Sequence, residues 1–251
     1  MEKDNFADGK PRRSQVVDLP KQAQGGSARI ANMAELGRMS VEEMAERRIV
    51  YPGMPNKAVL NTFRELRTQL LKLGGSNNFV IMVTSLTDNA GSSFIATNLG
   101  AVFALDKTKT ALLIDCNLYD PSLEQLLDVE PDYGLTDYLA EEKLDVNDII
   151  YATGIPRLRV VPVGTHTEVG AEYFSSARMA GFIDNLKTRY PDRYLILDTP
   201  PIGMWAEARI LADLSDLVVL VVPYGRVNEA QVAAAVDTLG EDKLAGVIFN
   251  N

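Results

Sequence analysis

The sequence predicts a three-layer α/β fold, in which helices cover both faces of a parallel sheet. Short continuous runs of Val, Ile and Leu are the first observation, and stretches with helical spacing between them are the second. Apolar strands that alternate with amphipathic helices are typical of parallel sheets buried on both sides. The predicted strands are Phe79–Thr84, Thr110–Asp115, Leu158–Pro162, Tyr194–Asp198, Leu217–Pro223 and Ala245–Asn250, and the predicted helices are Ala58–Leu73, Ser93–Leu105, Ala177–Tyr190 and Asn228–Leu239.

Composition and charge narrow the possible classes of protein. The 251 residues, 46% of them hydrophobic, are enough for one sizeable core plus a tail. A net charge of -9 argues against general nucleic-acid binding. The single cysteine, Cys116, allows no internal disulfide, which suits a reducing cytosol. The longest apolar run is too short for a membrane helix, and the first residues contain no apolar signal core. We therefore expect a cytoplasmic protein that reaches the inner membrane only through a partner.

Residues 1–57 differ in composition from the rest of the chain. They contain many Lys, Arg, Gln, Gly and Ser residues and few large apolar ones, which predicts a mostly disordered N-terminal arm. Ser40 and Glu43 have the spacing of a capping box and predict a short helix near 41–48. The folded domain is expected to span 58–251. The arm is interpreted as solvated, with docking to a partner as the alternative.

The segment between the first predicted strand and the next helix resembles a phosphate-binding loop. The backbone amides of Asn89, Ala90, Gly91 and Ser92 are positioned to surround phosphate oxygens at a helix N-terminus, and the Ser93 hydroxyl to contact Mg²⁺. Asn89 stands where glycine is common, but asparagine tolerates a left-handed conformation better than most residues. By itself, a Gly-Ser-Ser junction is more typical of a capped turn.

Two aspartates strengthen the prediction of a ligand site. Asp115 and Asp198 each end a predicted buried strand. In open parallel sheets, ligands bind at the carboxyl ends of the strands. The loop and both carboxylates are therefore expected at one edge of the sheet, and the combination predicts a nucleotide site.

Four segments in order, ALLIDCNLYDPSL, GLTDYLAEE, AEYFSSARM and YLILDTPPI, resemble a known family. They are similar to the bacterial tyrosine kinases (BY-kinases) of capsule and exopolysaccharide systems, which belong with the MinD-like P-loop ATPases. The likeness covers about three quarters of the chain. It implies a P-loop NTPase fold, ATP and Mg²⁺ as cofactors, and a membrane chain-length-determinant protein (polysaccharide co-polymerase) as partner.

The phosphate-binding motif of the family is incomplete here. The family's Walker A loop contains Gly-Lys-Ser/Thr; Gly91 and Ser93 match, but Ser92 replaces the lysine. Asp198 matches the Walker B-like aspartate, and Asn250 matches a position that contacts the base. The lysine makes charge-assisted hydrogen bonds to phosphates, whereas serine carries no charge. We therefore expect weak binding of ATP and Mg²⁺ at most.

The second acidic motif of the family, Asp-x-Asp-x-Arg, is also altered. Asp115 matches, while Asn117 and Tyr119 replace the second acid and the arginine. Asparagine keeps the shape of aspartate but cannot act as a base. The family also usually ends in a cluster of autophosphorylated tyrosines, whereas the sequence here ends at Asn251, directly after a predicted strand.

The ring-forming helix of the family carries Glu-x-x-Arg-x-x-Arg. Arg64 and Arg67 match, but Asn61 replaces the glutamate. The resemblance implies that the two arginines contact another subunit; a solvated helical face is the alternative. Arg226 follows a predicted strand on the side of the phosphate loop. We interpret it as a surface arginine, with a substitute for the missing lysine as the alternative.

Together these features predict a pseudokinase that is a regulatory partner of a membrane chain-length-determinant protein, with an intact BY-kinase as a second possible partner. One alternative is an active ATP-dependent tyrosine autokinase with an atypical loop. In that case Asp115 and Asp198 would be catalytic and, with Ser93, would bind Mg²⁺. The other alternative is a MinD-like switch ATPase without kinase activity.

Overall fold

The computed structural model describes residues 38–75, 77–127, 130–165, 168 and 170–251, so the first 37 residues of the predicted arm lie outside it. Within these ranges, seven strands form one sheet in the order β3-β4-β2-β5-β1-β6-β7. All neighbouring pairs are parallel except β3 with β4. The predicted fold class is confirmed. The strands are β1 Val80–Ser85, β2 Thr110–Asp115, β3 Tyr151–Ala152, β4 Leu158–Val161, β5 Arg193–Asp198, β6 Leu217–Pro223 and β7 Leu244–Asn250.

Helices cover both faces of this sheet. They are α1 Val41–Glu46, α2 Lys57–Gly74, α3 Ser92–Phe103, α4 Leu135–Ala140, α5 Gly170–Phe174, α6 Ala177–Arg189, α7 Ala206–Asp213 and α8 Glu229–Leu239, with short 3-10 helices at Leu123–Leu126 and Val146–Ile149. The apolar residues of α2 and α3 belong to one core cluster, and those of α6, α7 and α8 belong to the other.

The strands explain why two cores form. Successive side chains of a strand point to opposite faces of the sheet. In β1, Ile81 and Val83 pack with α2 and α3, whereas Val80 and Met82 pack with α6 and α7. A strand buried on both faces must be apolar at nearly every position, which is the pattern that predicts it in the sequence.

The segment before α2 is packed against the domain. Ser40 accepts a hydrogen bond from the Glu43 amide, and the Glu43 carboxylate accepts one from the Ser40 amide, so α1 begins with a capping box. Beyond α1, Ile49 and Val50 are buried in the core on the α3 side of the sheet. The described part of the segment that composition assigns to the arm, residues 38–57, is thus folded onto the domain.

Four short elements are not predicted by the sequence patterns: α4, α5, α7 and β3. They have between two and eight residues. Such elements are too short to display a helical or alternating period. Among the described residues, no helix is long and apolar enough to cross a bilayer.

Candidate nucleotide site

The loop between β1 and α3 has the backbone conformation of a tight anion-binding turn. Asn89 and Gly91 have φ values of 54° and 87°, and α3 begins directly after Gly91. A Cβ atom at position 91 would lie 2.3 Å from Nδ2 of Asn250, so only glycine fits there without displacing that side chain. Left-handed residues in a turn direct successive backbone N–H groups toward one concave surface, which suits an anion.

Asn250 lies on this loop. Its Nδ2 donates a hydrogen bond of 2.9 Å to the carbonyl of Ala90. The side chain that the resemblance assigns to the nucleotide base therefore holds the backbone of the phosphate loop. This contact joins the end of β7 to the loop after β1, although β6 separates the two strands in the sheet.

The two aspartates are direct neighbours in the sheet. Asp115 at the end of β2 is the register partner of Asp198 at the end of β5, and β5 lies beside β1. Both side chains are completely buried. The structure therefore brings the loop, Asp115 and Asp198 together at the carboxyl edge of the sheet.

Asp115 binds the backbone that follows it. Its carboxylate accepts hydrogen bonds from the amides of Asn117 at 3.1 Å, Ser122 at 3.1 Å and Leu123 at 3.0 Å. Burial raises the pKa of Asp115 to about 6, although these three amides act in the opposite direction. In this arrangement the carboxylate organises the segment between β2 and the first 3-10 helix.

Asp198 has a different environment. Neither carboxylate oxygen has a hydrogen bond of regular geometry, although the nearby Ser93 hydroxyl favours the charged form. The pKa of Asp198 is raised well above its usual range, chiefly because burial penalises the charge and also because Asp115 is adjacent. A buried carboxylate without donors, facing the first turn of α3, is suited to a bound cation or to a proton.

The residues that replace the rest of the family's acidic motif form contacts of their own. The Asn117 side chain accepts a hydrogen bond of 3.4 Å from the Asp120 amide and so closes a turn. Tyr119 stacks on Trp205, with ring centroids 3.5 Å apart and planes 18° from parallel. The Tyr119 hydroxyl donates to Oε1 of Glu207 at 2.8 Å, and burial and this carboxylate raise the pKa of Tyr119 to about 12.

The Tyr119–Trp205 pair was not anticipated from the sequence. The two residues follow different strands, and nothing in their local patterns predicts that they meet. Because Tyr119 is 46% exposed, the stacked pair forms an aromatic surface beside the end of β5. The only available signal was the position of the single tryptophan shortly after the strand that ends at Asp198.

The two arginines assigned to a subunit contact behave differently. Arg64 is exposed on α2. Arg67 is partly buried and donates from Nη1 to the carbonyl of Val102 at 2.8 Å, near the end of α3. Cations at a helix C-terminus satisfy its last carbonyl groups. Arg67 therefore contributes to packing within the chain, which leaves Arg64 as the more accessible of the pair.

The residues at the edge fit a phosphate–magnesium ligand only in part. The loop conformation and the Asp198 oxygens, which have no donors, fit such a group. Within the described ranges, no group of three or more His, Cys, Asp or Glu side chains is arranged to hold a metal ion. Mg²⁺ is usually bound through one or two carboxylates together with substrate phosphates and water. Asp198 and Ser93 would be its protein ligands here, and phosphates would have to provide others.

Comparison with known proteins identifies the family. The chain is 32% identical over 191 residues to the tyrosine-protein kinase CpsD of Streptococcus agalactiae, covering 75% of this chain and 81% of CpsD. The chain belongs to the bacterial tyrosine kinase family. Another member, the tyrosine-protein kinase YwqD of Bacillus subtilis, is 30% identical over 208 residues, which are 82% of this chain and 86% of YwqD. This confirms the resemblance to the BY-kinases of capsule and exopolysaccharide systems.

Longer relatives and solved structures agree with this assignment. The tyrosine-protein kinase wzc of Salmonella typhimurium is 26% identical over 214 residues, which are only 29% of wzc. The kinase domain of the Escherichia coli tyrosine kinase ETK superposes with a TM-score of 0.69 at 25% identity, covering 86% of this chain and 88% of the domain. The archaeal MinD of Pyrococcus horikoshii, solved with Mg-ADP, shares the fold with a TM-score of 0.57 at 21% identity over 69% of this chain and 70% of MinD. No protein-family model matches the sequence.

Proposed function

We propose that this BY-kinase family member is a cytoplasmic regulatory protein of exopolysaccharide or capsule biosynthesis and export, with a catalytically degraded phosphate-transfer site. The observation that carries the proposal is the chemistry at the sheet edge. Ser92 stands at the lysine position of the loop, and the carboxylate of Asp115 is occupied by three backbone amides. Ser92 therefore brings no positive charge to the phosphates, and Asp115 has fewer lone pairs left for a metal ion or a proton.

The two changes weaken chemistry more than folding. In phosphoryl transfer, catalysis comes mostly from positioning and from positive charge that stabilises the transferring group. Serine offers the loop a neutral hydroxyl without charge, and Asn117 offers an amide where a carboxylate would accept a proton. Asn117 keeps the size of aspartate and its side chain still accepts a hydrogen bond, so the turn around it closes normally.

The proposed partner is a membrane chain-length-determinant protein, with an intact BY-kinase as a second possible partner. The proposal is supported by the family assignment. The protein would then be peripheral to the inner membrane through that partner. The cytoplasmic assignment is supported by the single cysteine, which suits a reducing compartment.

Asp198 favours an active enzyme as the alternative. A buried carboxylate whose pKa is strongly raised by desolvation is typical of functional sites. An autokinase with an atypical loop would use Asp198 with Mg²⁺ and would label its own tyrosines. A MinD-like switch ATPase would hydrolyse ATP without such labelling.

One experiment distinguishes the three functions. The purified full-length chain is incubated with ATP and Mg²⁺, and phosphotyrosine and released phosphate are measured on the same samples. We expect neither product above the background of the Asp198→Ala variant. Phosphotyrosine that disappears in Asp198→Ala would establish the autokinase, and phosphate release without phosphotyrosine would establish the switch ATPase.

A further inference from the structure

Arg226 contacts the phosphate loop from the neighbouring strand. It lies in the turn after β6, and its Nη2 donates to the carbonyl of Asn89 at 2.5 Å. The two residues are 137 positions apart in the sequence. The Asn89 carbonyl belongs to the same peptide unit as the Ala90 amide, which is one of the loop N–H groups. The structure therefore places a guanidinium against the backbone of the phosphate loop, whereas the sequence alone favours a surface arginine without such a contact.

The charge of Arg226 is not neutralised by the residues around it. A guanidinium carries five N–H donors and stays protonated. The contact with Asn89 uses one donor and ends on a neutral carbonyl. Among the residues that the structure describes, no carboxylate pairs with Arg226, and the side chain is exposed. The remaining donors and the full charge are exposed to solvent beside the loop.

Asp198 is the independent sign that this edge receives a ligand. It is completely buried and neither oxygen has a hydrogen bond of regular geometry, although the Ser93 hydroxyl in the first turn of α3 favours its charged form. An anion placed here without a counter-charge would be repelled by Asp198 and Asp115. A polyphosphate that carries Mg²⁺ and contacts an arginine would not be repelled, because the two cations offset its charge.

We propose that Arg226 supplies the positive charge that binds the phosphates of a nucleoside di- or triphosphate at residues 89–93, in place of the lysine that is absent at position 92. This rests on the proposed function, in which the site holds a nucleotide without transferring its phosphate. The guanidinium reaches the loop from β6 rather than from the start of α3. Its planar pair of donors matches two phosphate oxygens, which suits tight positioning of the ligand.

The test is a double-mutant cycle between Arg226 and the lysine position. Binding of ATP and ADP with Mg²⁺ is measured by calorimetry for the native chain, Arg226→Gln, Ser92→Lys and the double variant. Lys107→Gln, which removes an exposed cation before β2 at the opposite edge, is the matched control. Arg226→Gln is expected to weaken binding about tenfold, the size of one charge-assisted contact. Lys107→Gln should leave binding unchanged, and Arg226→Lys should retain only part of the affinity, because it keeps the charge and loses the paired donors.

If Arg226 replaces the missing lysine, the cycle should also show that the effects of positions 92 and 226 on binding depend on each other. In the Ser92→Lys background, Arg226→Gln should cost less than about threefold, because the restored lysine already neutralises the phosphates. An unchanged affinity in Arg226→Gln, an equal loss in Lys107→Gln, an equal loss in both backgrounds, or no binding by the native chain would each overturn the inference. Phosphate release from the same samples tests the proposed function separately, because turnover would refute that proposal and leave the role of Arg226 standing.

Discussion

At the scale of single residues, the protonation of Asp198 makes the stability of the protein depend on pH. Its pKa is raised well above the ordinary 3.8, mainly by burial. When the folded-state pKa exceeds the unfolded value, the folded protein binds more protons between the two values. The contribution of Asp198 to stability is therefore fully present below about pH 4 and is lost as pH rises through the folded pKa.

Asp198→Asn is expected to raise the unfolding temperature by a few degrees at about pH 8 and to change it little at about pH 4. Asparagine is neutral at both pH values, so the variant lacks the cost of a buried charge at about pH 8. A gain of about 1 kcal/mol in the free energy of unfolding corresponds to roughly 2–4 °C in a protein of this size. Thermal unfolding followed by circular dichroism measures the effect. Asp184→Asn on the exposed face of α6 is the control. An equal change in the unfolding temperature of Asp198→Asn at both pH values would refute the raised pKa.

Ser92→Lys should tighten ATP binding about tenfold, because one charge-assisted hydrogen bond is added at the phosphates. ATP turnover should stay low in Ser92→Lys, because Asn117 remains. It should rise only when Ser92→Lys is combined with Asn117→Asp. Calorimetry and phosphate release measure the two effects. Thr108→Lys is the control: it adds a lysine at the opposite edge of the sheet and should change neither ATP binding nor turnover. Full turnover with Ser92→Lys alone would show that Asn117 is not limiting.

At the scale of elements, the Asn98 side chain on α3 holds the segment that precedes α2 through hydrogen bonds to its backbone. Its side chain is completely buried. It accepts a hydrogen bond from the Val50 amide at 2.7 Å and donates to the carbonyl of Arg48 at 3.1 Å. This segment has no strand partner to satisfy these backbone groups, so one side chain satisfies both. The same helix begins at the phosphate loop, which links the segment before α2 to the candidate site.

Asn98→Ala is expected to lower the free energy of unfolding by about 3 kcal/mol, because two backbone groups lose their partner in the interior. Urea unfolding measures this loss. Trypsin should also cut faster after Arg47 or Arg48, since the segment is no longer fastened. Asn61→Ala, at an exposed position of α2, is the control for removing an asparagine from a helix. If Asn98→Ala changed neither stability nor cleavage, the segment would be held by its apolar contacts alone.

At the scale of the whole molecule, the subunit contact implied by the resemblance would involve the exposed face of α2. The resemblance assigns a subunit contact to Arg64 and Arg67, and Arg67 already binds Val102 of its own chain. An arginine buried against a neighbouring subunit needs an acidic acceptor to offset its desolvation. Asn61 offers only a neutral carbonyl at the position of the family's glutamate.

The isolated chain is therefore expected to be a monomer or a weak oligomer in sedimentation velocity at micromolar concentration. Asn61→Glu should strengthen self-association, because it provides a carboxylate for Arg64 of another copy. Thr62→Glu, at the adjacent exposed position, should not. A stable ring of the native chain that is dissolved by Arg64→Glu would show that the asparagine does not weaken the contact. Association should appear when the cytoplasmic segment of the proposed membrane partner is added.

Local patterns in the sequence were sufficient for the fold class, for the longer elements and for the sheet edge at which the candidate residues meet. Strands buried on both faces must be apolar throughout, so β2 and β6 were predicted with their observed ends. The aspartate that ends β2 and the one that ends β5 follow from the same runs. Parallel strands bring their carboxyl ends to one edge, which is why these residues meet.

Only the tertiary structure decided how the residues at that edge are used. The occupation of Asp115 by amides of the following segment, the stack of Tyr119 on Trp205, and the contact of Arg226 with Asn89 join parts of the chain whose local patterns are independent. Hydrophobic periodicity specifies which face of an element is buried. It contains no information about which polar groups of different loops come within hydrogen-bond distance, because that depends on the packing of the complete sheet and its helices.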